Sequence, residues 1–464
     1  MIAFLCMVLS AAAFFGSLGL GQLWPLAWLA PLPILWLAFG RARMATVAVS
    51  AFAAYAIGSS NILEAYVGFL PVPVLIIAIC APAALFTLSV LAARFVAARV
   101  NPLAGVLAFA TLWTALGYFA SFSPDGTAAN IAYSQVPEPI LIQNATLFGL
   151  WSVAFLIAFV PASIALALRR RKVLPAVLGI GLFAFNAAYG AYVLARPVGP
   201  IIHAVLIDSD KLGSAAFADD GAVSLAAIDA YDDQALKLSG DHARLVVFPE
   251  KLAVIEPPWR AQAEARLAST ARTLNATLVA GFDNRDGGRR ENIAWVFPPD
   301  GGTPKIYSKR HMVPGLESAF TPGDAPLTLP NRIGIEICKD MDFNRMLRKD
   351  SREHADVMAV PAWDFDADAD LHGNMAVMRD VENGFAMARA ARDGLLTLSD
   401  AQGRILALRH TSKDGFTTLV GDLPRGTNAG NTVYDRIGDA FAWLCIAASA
   451  ILLLLGFLPR KKAA

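Results

Sequence analysis

Charged residues are scarce in this sequence, and the two signs nearly cancel. Lysine, arginine, aspartate and glutamate make up 17% of the 464 residues, and the formal net charge is +1. Soluble domains contain about 25% of these residues, so an ordinary soluble protein is excluded. Without an excess of positive charge, nucleic acid is not expected as a partner. Apolar residues dominate instead: 56% of the chain is hydrophobic, and the mean hydropathy is +0.49.

Cysteine is almost absent from the polar part of the chain. Of the four cysteines, Cys6, Cys80 and Cys445 lie in apolar runs, and Cys338 alone lies outside them. Cys338 therefore has no partner for a disulfide bond in its own region. A single thiol in such a region is either a buried packing residue or a nucleophile, and the thiol alone does not decide between the two.

Common signatures of cofactor binding are also missing. The sequence contains no GxGxxG fingerprint, no phosphate-binding P-loop and no internal repeat. Its six histidines are scattered without the spacing of zinc ligands. We therefore expect neither a metal site nor an organic cofactor.

The apolar residues are concentrated towards the two ends of the chain. A helix needs roughly 20 mostly apolar residues to cross a bilayer, and eight segments come close to this length. They lie at 2–20, 22–40, 45–63, 70–93, 103–121, 146–168, 174–194 and 437–458. This pattern predicts a seven-helix transmembrane domain at 1–195, a polar domain at 196–436, and a transmembrane helix with a basic tail at 437–464. No basic residue precedes the first segment, which favours a retained helix over a signal peptide.

Basic residues follow every second predicted span. They are Arg41 and Arg43, Arg94 and Arg99, Arg169 to Lys172, and Arg460 to Lys462. Short loops rich in lysine and arginine stay in the cytoplasm. Since the polar domain follows the seventh span, the pattern predicts that this domain lies on the outer face of the membrane, although Arg196 has the opposite bias.

Short β-rich runs alternate with helical stretches in the polar domain. Strands are predicted at 201–208, 245–248, 277–281, 292–297, 305–307, 332–337, 357–360, 395–399 and 405–409, and helices at 222–239, 258–274, 343–354 and 371–391. This alternation predicts an α/β layered fold. Ligands of such folds bind beyond the carboxyl ends of strands, so residues at these ends are candidates for catalysis.

Three predicted strand ends carry residues suited to nucleophilic catalysis. Glu250, Lys309 and Cys338 each follow or end a strand. A carboxylate can accept the proton of a thiol, and an ammonium group stabilises a thiolate and the oxyanion of a tetrahedral intermediate. Taken singly, Glu250 and Lys309 are typical solvated surface residues. Their order along one α/β domain favours catalysis.

The segments around these residues resemble the carbon–nitrogen hydrolase (nitrilase) superfamily. The resemblance lies in Phe-Pro-Glu at 248–250, Tyr-Ser-Lys-Arg-His-Met-Val-Pro at 307–314 and Glu-Ile-Cys-Lys-Asp at 336–340. With seven spans before such a domain and one after it, the chain is similar to the apolipoprotein N-acyltransferase family. The resemblance implies an αββα sandwich, on the periplasmic side of a bacterial inner membrane.

The resemblance also implies a role for each candidate residue. Glu250 is then the general base, Lys309 the stabiliser of the intermediate and Cys338 the nucleophile. Accessory residues near the nucleophile are Glu317, Lys339 and Asp340, and the backbone N–H of Lys339 contributes to the oxyanion hole. The implied reaction moves an acyl chain from a phospholipid to the N-terminal amine of a diacylglyceryl-cysteine lipoprotein, through a cysteine thioester and without a cofactor.

Four motifs depart from the family pattern. Phe-Pro-Glu replaces Trp-Pro-Glu, Pro-Gly-Leu-Glu ends at Glu317, Cys-Lys-Asp replaces Cys-Tyr-Glu, and 361–366 reads Pro-Ala-Trp-Asp-Phe-Asp in place of Ser-Asn-Asp-x-Trp-Phe. Two alternatives stay open: a membrane-tethered amidase, and a catalytically degenerate homologue acting as a scaffold or transporter. The spans hold no central charged residue, which argues against transport. The Lys339 side chain either favours the thiolate or meets a lipid phosphate, or it faces solvent.

Overall fold

The computed structural model describes residues 1–459. The chain forms two units. One consists of Met1–Arg196 and the segment that begins at Arg436, and the other is Pro197–Asp435. The predicted basic tail, Arg460 to Lys462, lies outside the described residues.

Six helices within residues 1–459 are long and apolar enough to cross a membrane. They are Met44–Tyr66, Val72–Arg99, Pro102–Ala120, Leu150–Arg170, Val173–Leu194 and Ala440–Phe457. Their mean hydropathy ranges from 1.4 to 2.6. By length and composition, this unit is a multi-pass helical membrane domain.

The first two of the eight predicted spans are shorter in the structure than in the prediction. Ile2–Phe15 has 14 residues and is therefore about 21 Å long, short of a hydrocarbon core of about 30 Å. The second segment is divided into Trp24–Leu29 and Leu32–Ala38. Pro31 separates these two helices because proline has no N–H group for the helical ladder. Apolar composition located both segments, but glycine and proline set their lengths.

Polar side chains join the helices of this unit. Trp151 Nε1 donates a hydrogen bond to Asp439 Oδ1 at 2.9 Å. Ser449 Oγ lies 2.9 Å from Thr111 Oγ1. Inside a bilayer the hydrophobic effect does not drive helices together, because lipid tails are as apolar as the helix surfaces. Hydrogen bonds between helices therefore help to stabilise their packing.

The second unit contains thirteen strands within the described residues. They are β1 (Ile201–Asp208), β2 (Leu245–Val247), β3 (Ala253–Ile255), β4 (Thr277–Asp286), β5 (Arg289–Phe297), β6 (Lys305–Ser308), β7 (Leu327–Thr328), β8 (Ile333–Ile335), β9 (Val357–Trp363), β10 (Ala386–Arg392), β11 (Leu395–Ser399), β12 (Ile405–His410) and β13 (Thr417–Pro424). The main helices are Gly221–Lys237, Pro257–Leu274, Asn344–Ser351 and Ala369–Asn383.

The strands form two sheets. The first has the order β13-β1-β2-β4-β5-β6, with β3 also paired to β4, and the second has the order β12-β11-β10-β9-β8-β7. At the centre of each sheet the strands are parallel: β1, β2 and β4 in the first, and β8, β9 and β10 in the second.

The two sheets pack face to face between layers of helices. Side chains of a strand point to opposite faces of the sheet. Residues of β1 therefore pack on one side against the second sheet and on the other side against helices. Ile202 and Leu206 pack in a core that includes residues of both sheets. Val205 packs in a separate core with Ile228 and Leu267 of the helices Gly221–Lys237 and Pro257–Leu274. The unit is thus the αββα sandwich that the resemblance implied.

The predicted helix at 371–391 is wrong at its C-terminal end. The helix stops at Asn383, and Gly384 follows with φ +74° in the left-handed region. Residues 386–391 belong to β10, which pairs with β9 and is buried at every position. A strand buried on both faces shows no polar alternation, and its alanines favour helix in isolation.

Candidate active site

Four loops that follow central strands each contain a non-glycine residue in the left-handed region of φ. Lys251 follows β2, Cys338 follows β8, Asp366 follows β9 and Asp393 follows β10, with φ between +44° and +60°. This conformation costs energy for residues with a side chain, and it is concentrated at functional sites. The strained loops lie at the sheet edge where ligands bind in α/β proteins.

The end of β9 brings Glu250 and Cys338 to the same place. The backbone N–H of Glu250 donates to the carbonyl oxygen of Ala362 at 3.3 Å. The thiol of Cys338 donates to the carbonyl oxygen of the next residue, Trp363, at 3.4 Å. The Glu250 loop also lies against Gly281 of β4, where a Cβ atom would lie 2.6 Å from the Glu250 Cα. Glycine is needed at 281 for this close approach.

Glu250 and Lys309 form a buried ion pair. Lys309 Nζ lies 2.8 Å from Glu250 Oε1, and both side chains are 1% exposed. Asn292 of β5 donates from Nδ2 to the same Glu250 oxygen at 2.5 Å. The backbone of Lys309 is fixed by the same residue, because its N–H donates to the carbonyl oxygen of Asn292 at 2.8 Å.

Glu317 is the second carboxylate bound to Lys309, at 2.8 Å from Nζ. Its other oxygen accepts hydrogen bonds from Lys251 Nζ at 2.7 Å and Asn292 Nδ2 at 2.8 Å. We call Glu250, Lys251, Asn292, Lys309 and Glu317 the lysine cluster. It contains two carboxylates and two ammonium groups, so its charges balance.

Burial and the charges of the lysine cluster shift the pKa values of Cys338, Lys309 and Glu317. Burial and the neighbouring Glu250 carboxylate raise the pKa of Cys338 well above 9, although Lys309 opposes this. Burial would lower the pKa of Lys309, but Glu250 and Glu317 outweigh it and raise that pKa. Burial would raise the pKa of Glu317, but Lys309 and Lys251 outweigh it and hold that pKa below its usual range. Thiolate formation at neutral pH therefore needs a proton acceptor beside the sulfur.

Asp340 connects the Lys309 segment to the turn that begins at Cys338. Its carboxylate accepts hydrogen bonds from the backbone N–H groups of Arg310 at 3.1 Å, His311 at 2.8 Å and Ile337 at 3.3 Å. Asp340 is fully buried. It holds the two segments in register without contributing to the lysine cluster itself.

Lys339, the residue after Cys338, is buried. Its Nζ lies 3.4 Å from Asp342 Oδ2, and 8% of the residue is exposed. The alternative of a solvent-facing side chain is therefore excluded. The pairing with Asp342 directs its charge into the protein.

Sequence reasoning did not identify Lys251, Asn292 or the buried pair of Asp364 and Arg389. Arg389 lies in β10, in the region that was predicted as helix, and its guanidinium lies 2.5 and 3.0 Å from the Asp364 oxygens. Two signals were available for the others. Lys251 directly follows Glu250, and Asn292 begins the strand that is predicted at 292–297.

Within residues 1–459, no group of three or more histidine, cysteine, aspartate or glutamate side chains has the arrangement of a metal site. The lysine cluster contains no histidine, and its carboxylates are bound to ammonium groups and an amide.

Two family models match the chain. Residues 5–163 match an apolipoprotein N-acyltransferase N-terminal domain, and residues 220–428 match a carbon-nitrogen hydrolase domain. Together the two matches cover more than half of the chain, and they correspond to the two units of the structure.

Curated relatives match across both units. An apolipoprotein N-acyltransferase from Geobacter metallireducens is 28% identical over 405 residues, which are 77% of this chain and 75% of the relative. One from Rhizobium rhizogenes is 25% identical, covering 71% of this chain and 69% of the relative. Apolipoprotein N-acyltransferase 1 from Treponema denticola is also 25% identical, covering 72% and 74%.

Solved structures match the α/β part of the chain. An amidase from Nesterenkonia sp. is 22% identical with a TM-score of 0.41, covering 54% of this chain and 97% of the amidase. A mutant of the Nesterenkonia AN1 amidase from the nitrilase superfamily is 22% identical with a TM-score of 0.42, covering 54% and 99%.

Proposed function

Because the chain belongs to the apolipoprotein N-acyltransferase family, within the carbon–nitrogen hydrolase superfamily, we propose that it N-acylates lipoproteins through a thioester on Cys338. The donor is a membrane phospholipid, and the acceptor is the N-terminal amine of a diacylglyceryl-cysteine lipoprotein. The observation that carries this proposal is the buried Glu250–Lys309 pair beside a protonated thiol.

In the first step Cys338 Sγ attacks the sn-1 ester carbonyl of the phospholipid. The thiol proton passes to Glu250, and this role is supported by the shared contact of Glu250 and Cys338 with the end of β9. Lys309 and the backbone N–H of Lys339 stabilise the oxyanion of the tetrahedral intermediate. The C–O bond then breaks, and the lysophospholipid leaves with the proton held by Glu250.

In the second step the amine of the acceptor attacks the thioester carbonyl. Glu250 accepts a proton from the amine, the C–S bond breaks, and Cys338 recovers its thiol proton. An amide forms on the acceptor, and the enzyme returns to its starting state. Water must be excluded between the two steps, because it would convert transfer into hydrolysis.

A membrane location suits both substrates. Each is anchored in a bilayer, so an enzyme held in the same bilayer meets them at a high effective concentration. The loop charges support a bacterial inner membrane with the α/β unit on the periplasmic side.

Mass spectrometry of the full-length protein in detergent tests this proposal. Incubation with phospholipid is expected to add one acyl mass on the peptide that contains Cys338, and later addition of a diacylated lipopeptide should remove it and yield an N-acylated peptide. Cys338→Ser should gain no acyl mass that hydroxylamine releases as a thioester. Release of free fatty acid without N-acylated peptide would replace the transferase with a hydrolase, and absence of any adduct on the wild type would refute the mechanism.

A further inference from the structure

Lys251 has no part in the mechanism above, yet its surroundings are not those of a surface lysine. Its Nζ lies 2.7 Å from Glu317 Oε1 and 4.0 Å from Glu250 Oε1, and its side chain is 15% exposed. The ammonium group also lies 5.3 Å from the ring centroid of Phe320 and 5.4 Å from that of Trp363. Both rings are within the range of a cation–π contact.

The backbone conformation of Lys251 is also unusual for a surface lysine. Its φ is +48°, in the left-handed region that a lysine adopts only at an energetic cost. The loop maintains this conformation directly after Glu250, and the backbone N–H of Leu252 donates to the carbonyl oxygen of Gly281 at 2.8 Å. A strained backbone that directs a charged side chain to a buried carboxylate indicates a functional requirement.

The charge balance of the lysine cluster depends on Lys251. With it, Glu250 and Glu317 face two ammonium groups. Without it, Lys309 alone would face two carboxylates in a buried site, and a thiolate at Cys338 would add a third negative charge. Like charges in a poorly solvated site raise the energy of each further negative charge.

We propose that Lys251 is a positioning residue for acylation: by pairing with Glu317, it leaves Lys309 available to Glu250 and to the thiolate of Cys338. This inference rests on the proposed function, in which Cys338 is the nucleophile. Lys251 acts through Glu317 and Lys309, since its Nζ lies 2.7 Å from Glu317 but 4.0 Å from Glu250 Oε1, beyond hydrogen-bond distance.

Other charged groups also face Cys338. They are Glu250 after β2, Lys309 after β6, Asp364 after β9 and Arg389 of β10. Asp364 and Arg389 bind each other at 2.5 and 3.0 Å, so their effects on the thiol oppose one another. The charges of the lysine cluster therefore decide how easily the Cys338 thiol ionises.

The rate of thiol alkylation measures the effect of Lys251 without any lipid substrate. The full-length protein in detergent is treated with iodoacetamide at a fixed pH below the pKa of the thiol, and modification of the Cys338 peptide is followed by mass spectrometry. Under these conditions the rate is proportional to the thiolate fraction. Lys251→Met should slow alkylation by about tenfold or more, since one pKa unit is a tenfold change. Lys251→Arg keeps the charge and should stay within about threefold of the wild type, by the same relation.

Glu317→Gln provides the matched opposite change. It leaves one carboxylate against two ammonium groups, so alkylation should become faster than in the wild type. The double variant Lys251→Met/Glu317→Gln restores the balance and should return to a rate near that of the wild type, which is a non-additive result. An unchanged rate in Lys251→Met, or a double variant as slow as Lys251→Met alone, overturns the inference.

Folding controls and the lipid assay separate the possible explanations. Melting temperatures show whether each variant is folded. If Lys251→Met does not fold, Glu317→Gln carries the test, and an unchanged alkylation rate in that variant overturns the inference. If the alkylation pattern holds but wild-type Cys338 takes no acyl chain from phospholipid, the proposed function fails and the role of Lys251 in tuning the thiol remains. If acyl transfer is normal and alkylation is insensitive to Lys251, only the inference fails.

Discussion

Two adjacent residues of one loop, Lys309 and Arg310, enter two different clusters of buried charge. Lys309 binds Glu250 and Glu317. The guanidinium of Arg310 lies 2.7 Å from Glu336 and 2.5 Å from Asp350. Tyr307 Oη lies within 2.8 Å of both Glu336 and Asp340 and so connects Asp340 to this group. We call the five residues Tyr307, Arg310, Glu336, Asp340 and Asp350 the arginine cluster.

The two clusters differ in their charge balance. The lysine cluster has equal numbers of carboxylates and ammonium groups, whereas the arginine cluster has three carboxylates and one guanidinium. Burial, together with Asp340 and Asp350, raises the pKa of Glu336 well above its usual value, although Arg310 opposes this. The excess of carboxylate in the arginine cluster therefore favours the protonated form of Glu336.

The difference in charge balance suits the two clusters to different roles. A balanced cluster beside a thiol can accept a proton at one carboxylate and support a thiolate. In the arginine cluster, one guanidinium donates hydrogen bonds to Glu336, Asp350 and Tyr307 and so fixes the loop in place. One loop thus places Lys309 in the lysine cluster, where the proposed reaction would use it, while Arg310 holds that loop to the protein.

Removing Lys309 should cause the largest change in activity. Lys309→Met takes away the cation beside the oxyanion and leaves Glu250 and Glu317 without their shared partner. We expect the single-turnover rate of Cys338 acylation to fall by about 10³-fold, the effect of losing one oxyanion-stabilising group. A Lys309→Met protein that acylates within tenfold of the wild type would contradict the assignment.

The matched change in the arginine cluster should reduce stability more than chemistry. Arg310→Met leaves the buried Asp350 carboxylate without its cation and Glu336 without its hydrogen-bond donor, which is expected to cost about 3–5 kcal/mol. Denaturant titrations of the purified protein, followed by tryptophan fluorescence, measure this loss. The acylation rate per folded molecule should stay much closer to that of the wild type than in Lys309→Met, and an unchanged unfolding midpoint would show that Arg310 is not an anchor.

The two clusters should also differ in how their stability depends on pH, and Glu317 tests this for the lysine cluster. Glu317 has a pKa that Lys309 and Lys251 hold below its usual value of 4.5, against the effect of burial. Its contribution to stability is therefore present above about pH 4.5 and is lost as the pH falls through the folded-state value. The difference in melting temperature between wild type and Glu317→Gln should be widest near neutral pH and should shrink in acid.

Glu336→Gln should behave in the opposite way. Burial and the neighbouring carboxylates raise the pKa of Glu336 above its usual value of 4.5, and glutamine imitates the protonated form. The variant should therefore melt close to the wild type below about pH 4.5, where Glu336 is protonated in both the folded and the unfolded chain. As the pH rises from there through the folded-state pKa, the wild type loses the contribution of Glu336, so the variant becomes the more stable of the two. A Glu336→Gln protein that becomes less stable than the wild type as the pH rises would contradict the raised pKa.

The smallest effect is expected from Tyr307→Phe. This change removes one hydroxyl from the arginine cluster and keeps the buried ring, so about 1 kcal/mol of stability should be lost. Acylation of Cys338 should not change, because Tyr307 contacts no member of the lysine cluster by a hydrogen bond. Parallel measurement of the melting temperature and of the acylation rate checks both statements, and a strong loss of rate would mean that the two clusters are coupled.

Strand ends were the part of the site that local sequence made predictable. Glu250, Lys309 and Cys338 each follow a β-rich run, and the structure places all three after strands of the sandwich. The order of strands and helices was sufficient to predict an α/β fold, and the resemblance specified the αββα form. The helical unit was predictable for a similar reason, since long apolar runs are a local property.

Partners from distant strands were not predictable in the same way. Asn292 meets Glu250 only because β5 pairs with β4 in a particular register, and β4 lies beside β2. Arg389 lies in an alanine-rich segment that favours helix by propensity, and only its burial in the second sheet makes it a strand. Lys339 has the composition of a surface position, yet Asp342 three residues later binds it inside the protein.

The left-handed backbone at Cys338 restricts which residues could replace the proposed nucleophile. At φ +44° a side chain branched at Cβ is disfavoured by steric contact with its own backbone. Threonine therefore costs more at this position than serine, although both carry a hydroxyl group that can act as a nucleophile. The turn after β8 thus suits an unbranched side chain, whether its reacting atom is sulfur or oxygen.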